Sequence, residues 1–295
     1  MRSTVLFFLF AVLMTASDAF AGKSPYPEGN CGATLNFPFK IIGFSHYPPF
    51  SWIESKQGIW GTEYYYEGVV VGAVKEALKN IHSEYLQEDY FEDAIQYQKA
   101  LLRGKEDLSF SSYYIDEAKS GQDYIYPAYF GNPFIVVSRL DKKIDVDDAS
   151  GLKGLKGVIR NDEEIETLFR GILPTDTKLE VVPDAKEAFV KLLSGEADFM
   201  ITSPYAAEAE ARRFKIRDKI HFGNKVLRHI KYFISFSKLS NCRKYKKIFE
   251  EEFKKQPIIA DKAKMEESIQ KYIRLWEEKH KDEPPLEYTP VSTEE

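Results

Sequence analysis

Few side chains in this chain have the types and spacing that could do chemistry. Ser235-Phe236-Ser237-Lys238 matches the S-x-x-K pattern, in which a lysine sits beside a serine nucleophile. The companion motifs S-D-N and K-T-G are absent, and the match falls in a strand-like run rather than at the opening of a helix, so it is read as coincidence. Asp145-x-Asp147 begins like a calcium loop, but Ala149, Ser150 and Lys156 stand where an oxygen ligand, a glycine and a glutamate are needed. His46, His82, His221, His229 and His280 show no H-x-x-x-H spacing, and two cysteines cannot build a Cys-based zinc module, so no metal is expected. No G-x-S-x-G, phosphate loop or dinucleotide fingerprint is present, and no cofactor or catalytic residue is assigned. His46, next to Tyr47, is the one histidine placed to act in a cleft, as a base or a hydrogen-bond partner.

The composition narrows the classes further. A chain of 295 residues, 43% hydrophobic and 29% charged, excludes wholesale disorder, collagen and coiled coil, and its length fits one large domain or two smaller ones. A net charge of −5 argues against a nucleic-acid partner held through its phosphates. Aromatic residues are dense, with 21 Phe, 18 Tyr and 3 Trp. At the start, Arg2, the apolar Val5–Met14 and Ala19-Phe20-Ala21 have the order of a secretory signal peptide, residues 1–21. The alternative is an uncleaved anchor. No later stretch approaches the roughly 18 apolar residues of a membrane span, so the expected mature chain, Gly22–Glu295, is exported and soluble, in a periplasm. In that oxidising compartment Cys31 and Cys242 are expected to form a disulfide, two buried free thiols being the alternative.

The elements that must position any site follow from a repeat. Leu101-Leu102-x-Gly104-x-x-Asp107 recurs as Leu192-Leu193-x-Gly195-x-x-Asp198. Each copy ends a helical pattern on a glycine suited to the position just past a helix, and each is followed by a strand-like run, Leu108–Tyr114 and Phe199–Thr202. Asp184 with Glu187 makes a capping signature for the second helix, and Ser203-Pro204 opens another with Ser203 as its cap. Strands are expected at Phe39–Phe44, Phe134–Ser138, Gly157–Arg160 and Tyr232–Ser237. Val70, Ala73, Val74, Ala77, Leu78 and Ile81 predict a helix, and Lys/Glu-rich helices are expected over Arg243–Lys255 and Asp261–Lys281. The expected fold class is α/β, two similar α/β lobes around a central cleft. Lobe 1 takes residues 37–138 and 229–281, lobe 2 takes 139–228, and 283–295, with three prolines, reads as a disordered tail. Trp60, Tyr64, Tyr65 and Tyr66 are expected to pack across lobe 1.

The order of several short segments resembles the periplasmic solute-binding proteins of polar amino-acid ABC transporters, extracellular solute-binding family 3, with the type II periplasmic binding fold. They are Tyr47-Pro48-Pro49-Phe50, Glu67-Gly68, the two L-L-x-G-x-x-D copies, Asp123–Tyr129 and Leu152-Lys153-Gly154, spread over Phe39–Gln256. The resemblance implies a monomeric protein that closes on a small-molecule solute and delivers it to an inner-membrane ABC permease without chemistry. Carried over position by position, it implies ligand contacts at Tyr47, Phe50, Trp52, Ser112, Tyr114, Lys119, Arg160, Asp162 and Ser203. Two positions depart from the family's clamp. Lys119, in a shortened loop, stands for the arginine that grips a carboxylate, and Ser203 stands for the aspartate that takes an amino group. A lysine is a point charge without the arginine fork, so a free α-amino acid is not the expected ligand. A dehydratase-like enzyme using His46, and an orphan module for sensing or envelope assembly, are the competing expectations.

Overall fold

The structure, a computed structural model, describes residues 31–32, 38–58, 61–86, 94–114, 121–160 and 163–290. Residues 1–30, Trp60, Lys119, Asp162 and residues 291–295 lie outside the described residues.

One half-sheet is built around β1 (Phe39–Ile42). The chain next forms a small antiparallel sheet of β2 (His46–Tyr47), β3 (Ser51–Gly58) and β4 (Gly61–Glu67). It then enters α1 (Val69–Asn80) through Gly68, whose φ is 137°. A Cβ at Gly68 would stand 2.2 Å from the Phe50 carbonyl oxygen, so the Glu67-Gly68 pair is a backbone requirement. α1 tolerates three consecutive valines because Val69, Val70, Val71, Val74 and Leu78 are all buried, and packing outweighs the small penalty of β-branching. β5 (Tyr85–Leu86), α2 (Ala94–Leu102) and β6 (Leu108–Tyr113) complete two crossovers, with β5 and β6 parallel to β1 on either side.

After β7 (Gln122–Tyr124) and β8 (Phe130–Arg139), the same plan returns. β9 (Lys156–Arg160), α3 (Glu163–Arg170), β10 (Lys178–Val182), α4 (Ala185–Ser194) and β11 (Phe199–Thr202) place β9 between parallel neighbours β10 and β11. After α5 (Pro204–Arg213), β12 (Ile220–Ser237) runs the length of both halves. Its first part pairs antiparallel with β8, and its last part pairs antiparallel with β6 and β7. The two strand orders, β5-β1-β6-β12-β7 and β10-β9-β11-β8-β12, are therefore equivalent. This is the expected α/β architecture of two similar halves.

The repeat occupies equivalent places in both. Gly104 and Gly195 take left-handed φ of 67° and 93°, which favours glycine. Asp107 then accepts the backbone N–H of Lys40 at 2.8 Å, at the start of β1, and Asp198 accepts that of Lys156 at 3.0 Å, at the start of β9. The aspartate of L-L-x-G-x-x-D thus ties each crossover strand to its parallel neighbour.

Beyond β12 come α6 (Lys246–Lys254), α7 (Pro257–Ala260) and α8 (Lys262–Lys279). The structure corrects two expectations here. α8, expected with lobe 1, packs on both halves. Met265, Ile269, Ile273 and Trp276 form an apolar stripe hidden by the Lys/Glu composition, and they share a core with Trp52 and Val69 of the first half and Ile159 and Ala209 of the second. The tail is ordered through residue 290. Leu286 is buried in the core of the second half with Phe214 and Ile220, its N–H donates to the Phe214 carbonyl at 3.0 Å, and the Lys215 ammonium donates to the Glu283 carbonyl. Its prolines lack N–H groups, but the residues between them supply the contacts.

Cys31 and Cys242 are joined as a disulfide with Cα atoms 5.3 Å apart, within the usual span, pinning the start of the described chain to the segment before α6. Among the described residues no helix is long and apolar enough to cross a membrane.

Candidate functional site

In open α/β sheets ligands sit beyond the carboxyl ends of parallel strands. Here those ends bring Tyr47 after β1, Tyr113 on β6, Arg160 on β9 and Thr202 on β11 around one cavity of about 40 Å³. Arg160 crosses from the second half to the first. Its Nη1 donates to the His46 carbonyl at 2.6 Å, and its guanidinium lies 4.7 Å over the Tyr47 ring.

The rest of the interface is filled by the protein's own side chains. Tyr47 stacks on Phe50 at 5.5 Å, and Phe50 packs against Phe130, Tyr205 and Tyr232. Asn132, fully buried on β8, organises the polar groups: its Nδ2 donates to the Tyr47 hydroxyl at 2.8 Å and the Tyr232 hydroxyl at 3.3 Å, and its Oδ1 accepts from Ser203 at 2.7 Å. Burial, with Tyr47 close by, pushes the Tyr232 hydroxyl well above the ordinary tyrosine range. Tyr205 is pushed up to about 12 by burial and by the Glu266 carboxylate, to which its hydroxyl donates at 2.9 Å.

Of the residues expected at the site, Tyr47 and Arg160 line the cavity, while Phe50 and Ser203 lie immediately behind it. Ser203 precedes α5 as expected, but its hydroxyl makes no cap bond and turns to Asn132 instead. Three expected contacts are placed elsewhere. Trp52 is buried against Trp276 and Tyr272 of α8. Tyr113 faces the cavity, whereas Ser112 points into a buried seam with Ser109 and Ser235, where a β-bulge shifts the register of β6 against β12. Tyr114 is 57% exposed and packs on Tyr124 and Phe233. Lys119 and Asp162 lie outside the described residues. In the aromatic hairpin, Tyr66 packs inward as expected, its hydroxyl donating to the Gly43 carbonyl at 3.1 Å, whereas Tyr64 is exposed.

Tyr113, Thr202 and Glu210 on the cavity wall, and Asn132 behind it, escaped the sequence reading. Asn132 sits in Gly131-Asn132-Pro133, which spells a turn rather than a strand. Glu210 lines the cavity from α5 and is only 2% exposed. Its signal was a glutamate at helical spacing from Ala206 and Ala207, on the apolar face. His46 stands with its Nε2 3.2 Å from Glu210 Oε1. Among the described residues, one group of three side chains has metal-ligand spacing, Cys31, Asp107 and Cys242, and its two sulfurs are already bonded to each other. The S-x-x-K serine, Ser235, donates to Gln122 Oε1 at 2.6 Å inside the buried seam.

No family model and no curated protein sequence matches the chain. Solved structures do. An amino acid ABC transporter substrate-binding protein from Streptococcus pneumoniae, bound to L-arginine, is 14% identical with a TM-score of 0.60, over 82% of this chain and 95% of that one. An ancestral amino acid-binding protein described as a precursor of cyclohexadienyl dehydratase is 18% identical with a TM-score of 0.57, over 81% and 95%. The periplasmic VFT2 domain of Bordetella pertussis BvgS is 13% identical with a TM-score of 0.58, over 82% and 94%. At these identities the likeness establishes architecture: the chain has the two-lobed α/β fold shared by these binding proteins.

Proposed function

We propose that this chain is an exported solute-binding protein that takes up a small polar solute between its halves and delivers it to an inner-membrane ABC permease. In this reading the lobes are 37–138 with 229–281, and 139–228, with α8 lying across both. The observation that carries it is the reach of Arg160 from one half onto the His46 carbonyl and Tyr47 ring of the other, at the rim of a cavity where the parallel strands of both halves end. The binding proteins among the structural neighbours support the same role. A cavity of about 40 Å³ holds roughly three water-sized groups, so uptake of a whole solute requires the halves to part along β8 and β12.

The test is a thermal-shift screen over amino acids, amines, organic acids and sugars. One solute class should raise the melting temperature, by an amount equivalent to about 2.7 kcal/mol at 100 times its dissociation constant. A broad screen in which nothing shifts would remove the proposal.

A second reading, an enzyme derived from this fold, draws on the contact between His46 and the buried Glu210. It requires product to form with a bound solute and to stop forming in His46→Ala while that variant still binds; solute recovered unchanged after prolonged incubation excludes it.

A further inference from the structure

We propose that the Glu210 side of the cavity is a receptor for a primary ammonium group on a short alkyl stem, with Glu210 as its charge partner; this rests on the solute-binding reading and names the ligand class. Glu210 has a basic neighbour at each oxygen, but only Oε2 is hydrogen-bonded among the described residues. Its Oε1 is buried and has no hydrogen-bond partner among the described residues. The His46 ring nitrogen is near, at 3.2 Å, but out of hydrogen-bond alignment, and an imidazole carries charge only when protonated. Arg213, one helical turn on, donates from Nη1 to Glu210 Oε2 at 3.4 Å, while its Nε and Nη2 are held by the two Glu283 oxygens at 2.8 and 3.3 Å. Arg160 is engaged by the His46 carbonyl and the Tyr47 ring. A buried carboxylate oxygen without a hydrogen bond is destabilising, and an incoming ammonium brings a full charge and three donors.

The walls fit the stem. Ile159, Ile165, Ile201 and Ala188 line the cavity beside Glu210, and the Thr202 side chain brings one hydroxyl. The closed volume of about 40 Å³ accommodates an ammonium with one or two methylenes, each about the size of a water. Recognition of this kind needs no carboxylate on the ligand.

The probes are ethylammonium chloride, ethanol and sodium acetate, each titrated into the wild-type protein with calorimetry and melting temperature as readouts. The amine should bind and raise the melting temperature, with the isosteric alcohol and the acid at least tenfold weaker. Glu210→Gln, checked for folding by circular dichroism, should lose at least tenfold in affinity for the amine. Equal binding of alcohol and amine by the wild type overturns the proposal without reference to any variant, as does affinity retained within twofold by a folded E210Q. If other polar solutes bind while the amine does not, the Glu210 assignment fails and the solute-binding reading stands; if nothing binds, both fail.

Discussion

Asn132 shows what one buried amide can coordinate. It joins hydroxyls from β2, β12 and the start of α5, three places far apart in sequence. Asn132→Ala would leave Tyr47, Tyr232 and Ser203 short of a partner. An unsatisfied buried polar group costs about 1–3 kcal/mol, so a loss of about 3 kcal/mol is expected, seen as a lower urea midpoint at unchanged slope. The residue was hidden in the sequence by its neighbours. Gly-Asn-Pro reads as a turn, yet β8 continues through it, because at Pro133 the strand pairs with β12 on one side and has not yet met β11, whose partners begin at Ile135. Tyr47 and Arg160 were legible because each directly follows or ends a strand of recognisable apolar pattern. Asn132 and Glu210 were not, because their roles depend on which distant groups they meet.

At the scale of elements, the two copies of L-L-x-G-x-x-D do one job in two electrostatic settings. Burial dominates at Asp107 and raises its carboxyl above the usual range, although Lys40 N–H and Ser240 pull the other way. At Asp198 burial also raises, but the Lys142 ammonium at 2.8 Å and the Lys156 N–H outweigh it and hold the carboxyl below its ordinary value. A carboxyl depressed in the folded state stabilises fully above its unfolded pKa of about 3.9, and the contribution is lost as pH falls through the lower folded value. Asp198→Asn should therefore destabilise at pH 7, and the difference from wild type should shrink as the urea midpoint is followed down from pH 4 towards pH 2. The repeat was legible because a glycine turn and a backbone-binding aspartate are local requirements. The four-residue stripe of α8 was masked by the lysines and glutamates around it, which set the composition but not the buried face.

For the whole molecule, the two-lobed α/β plan was readable from the order of strand and helix patterns, whereas the C-terminal strap across both halves was not. The Lys279 ammonium bonds Glu54 and Glu67 of the β3–β4 hairpin, while Glu283 bonds Arg213 and Leu286 is buried in the second half. A chain ending at residue 281 should stay folded but lose about 2–3 kcal/mol, the burial of one leucine with its neighbouring bonds, measured by urea titration. The path of β12 has a further consequence, for the order of assembly. The second half-sheet is complete within residues 130–232, using only the leading part of that strand, but the first half-sheet cannot be closed until the trailing part has docked on β6. The half that is synthesised earlier thus depends on distant pairings, which form slowly, and the later half depends on nearer ones. In refolding followed by pulsed hydrogen exchange, amides of Val158 and Met200 should be protected before those of Ile41 and Leu108, so that the leading half of the polypeptide is the last to become protein.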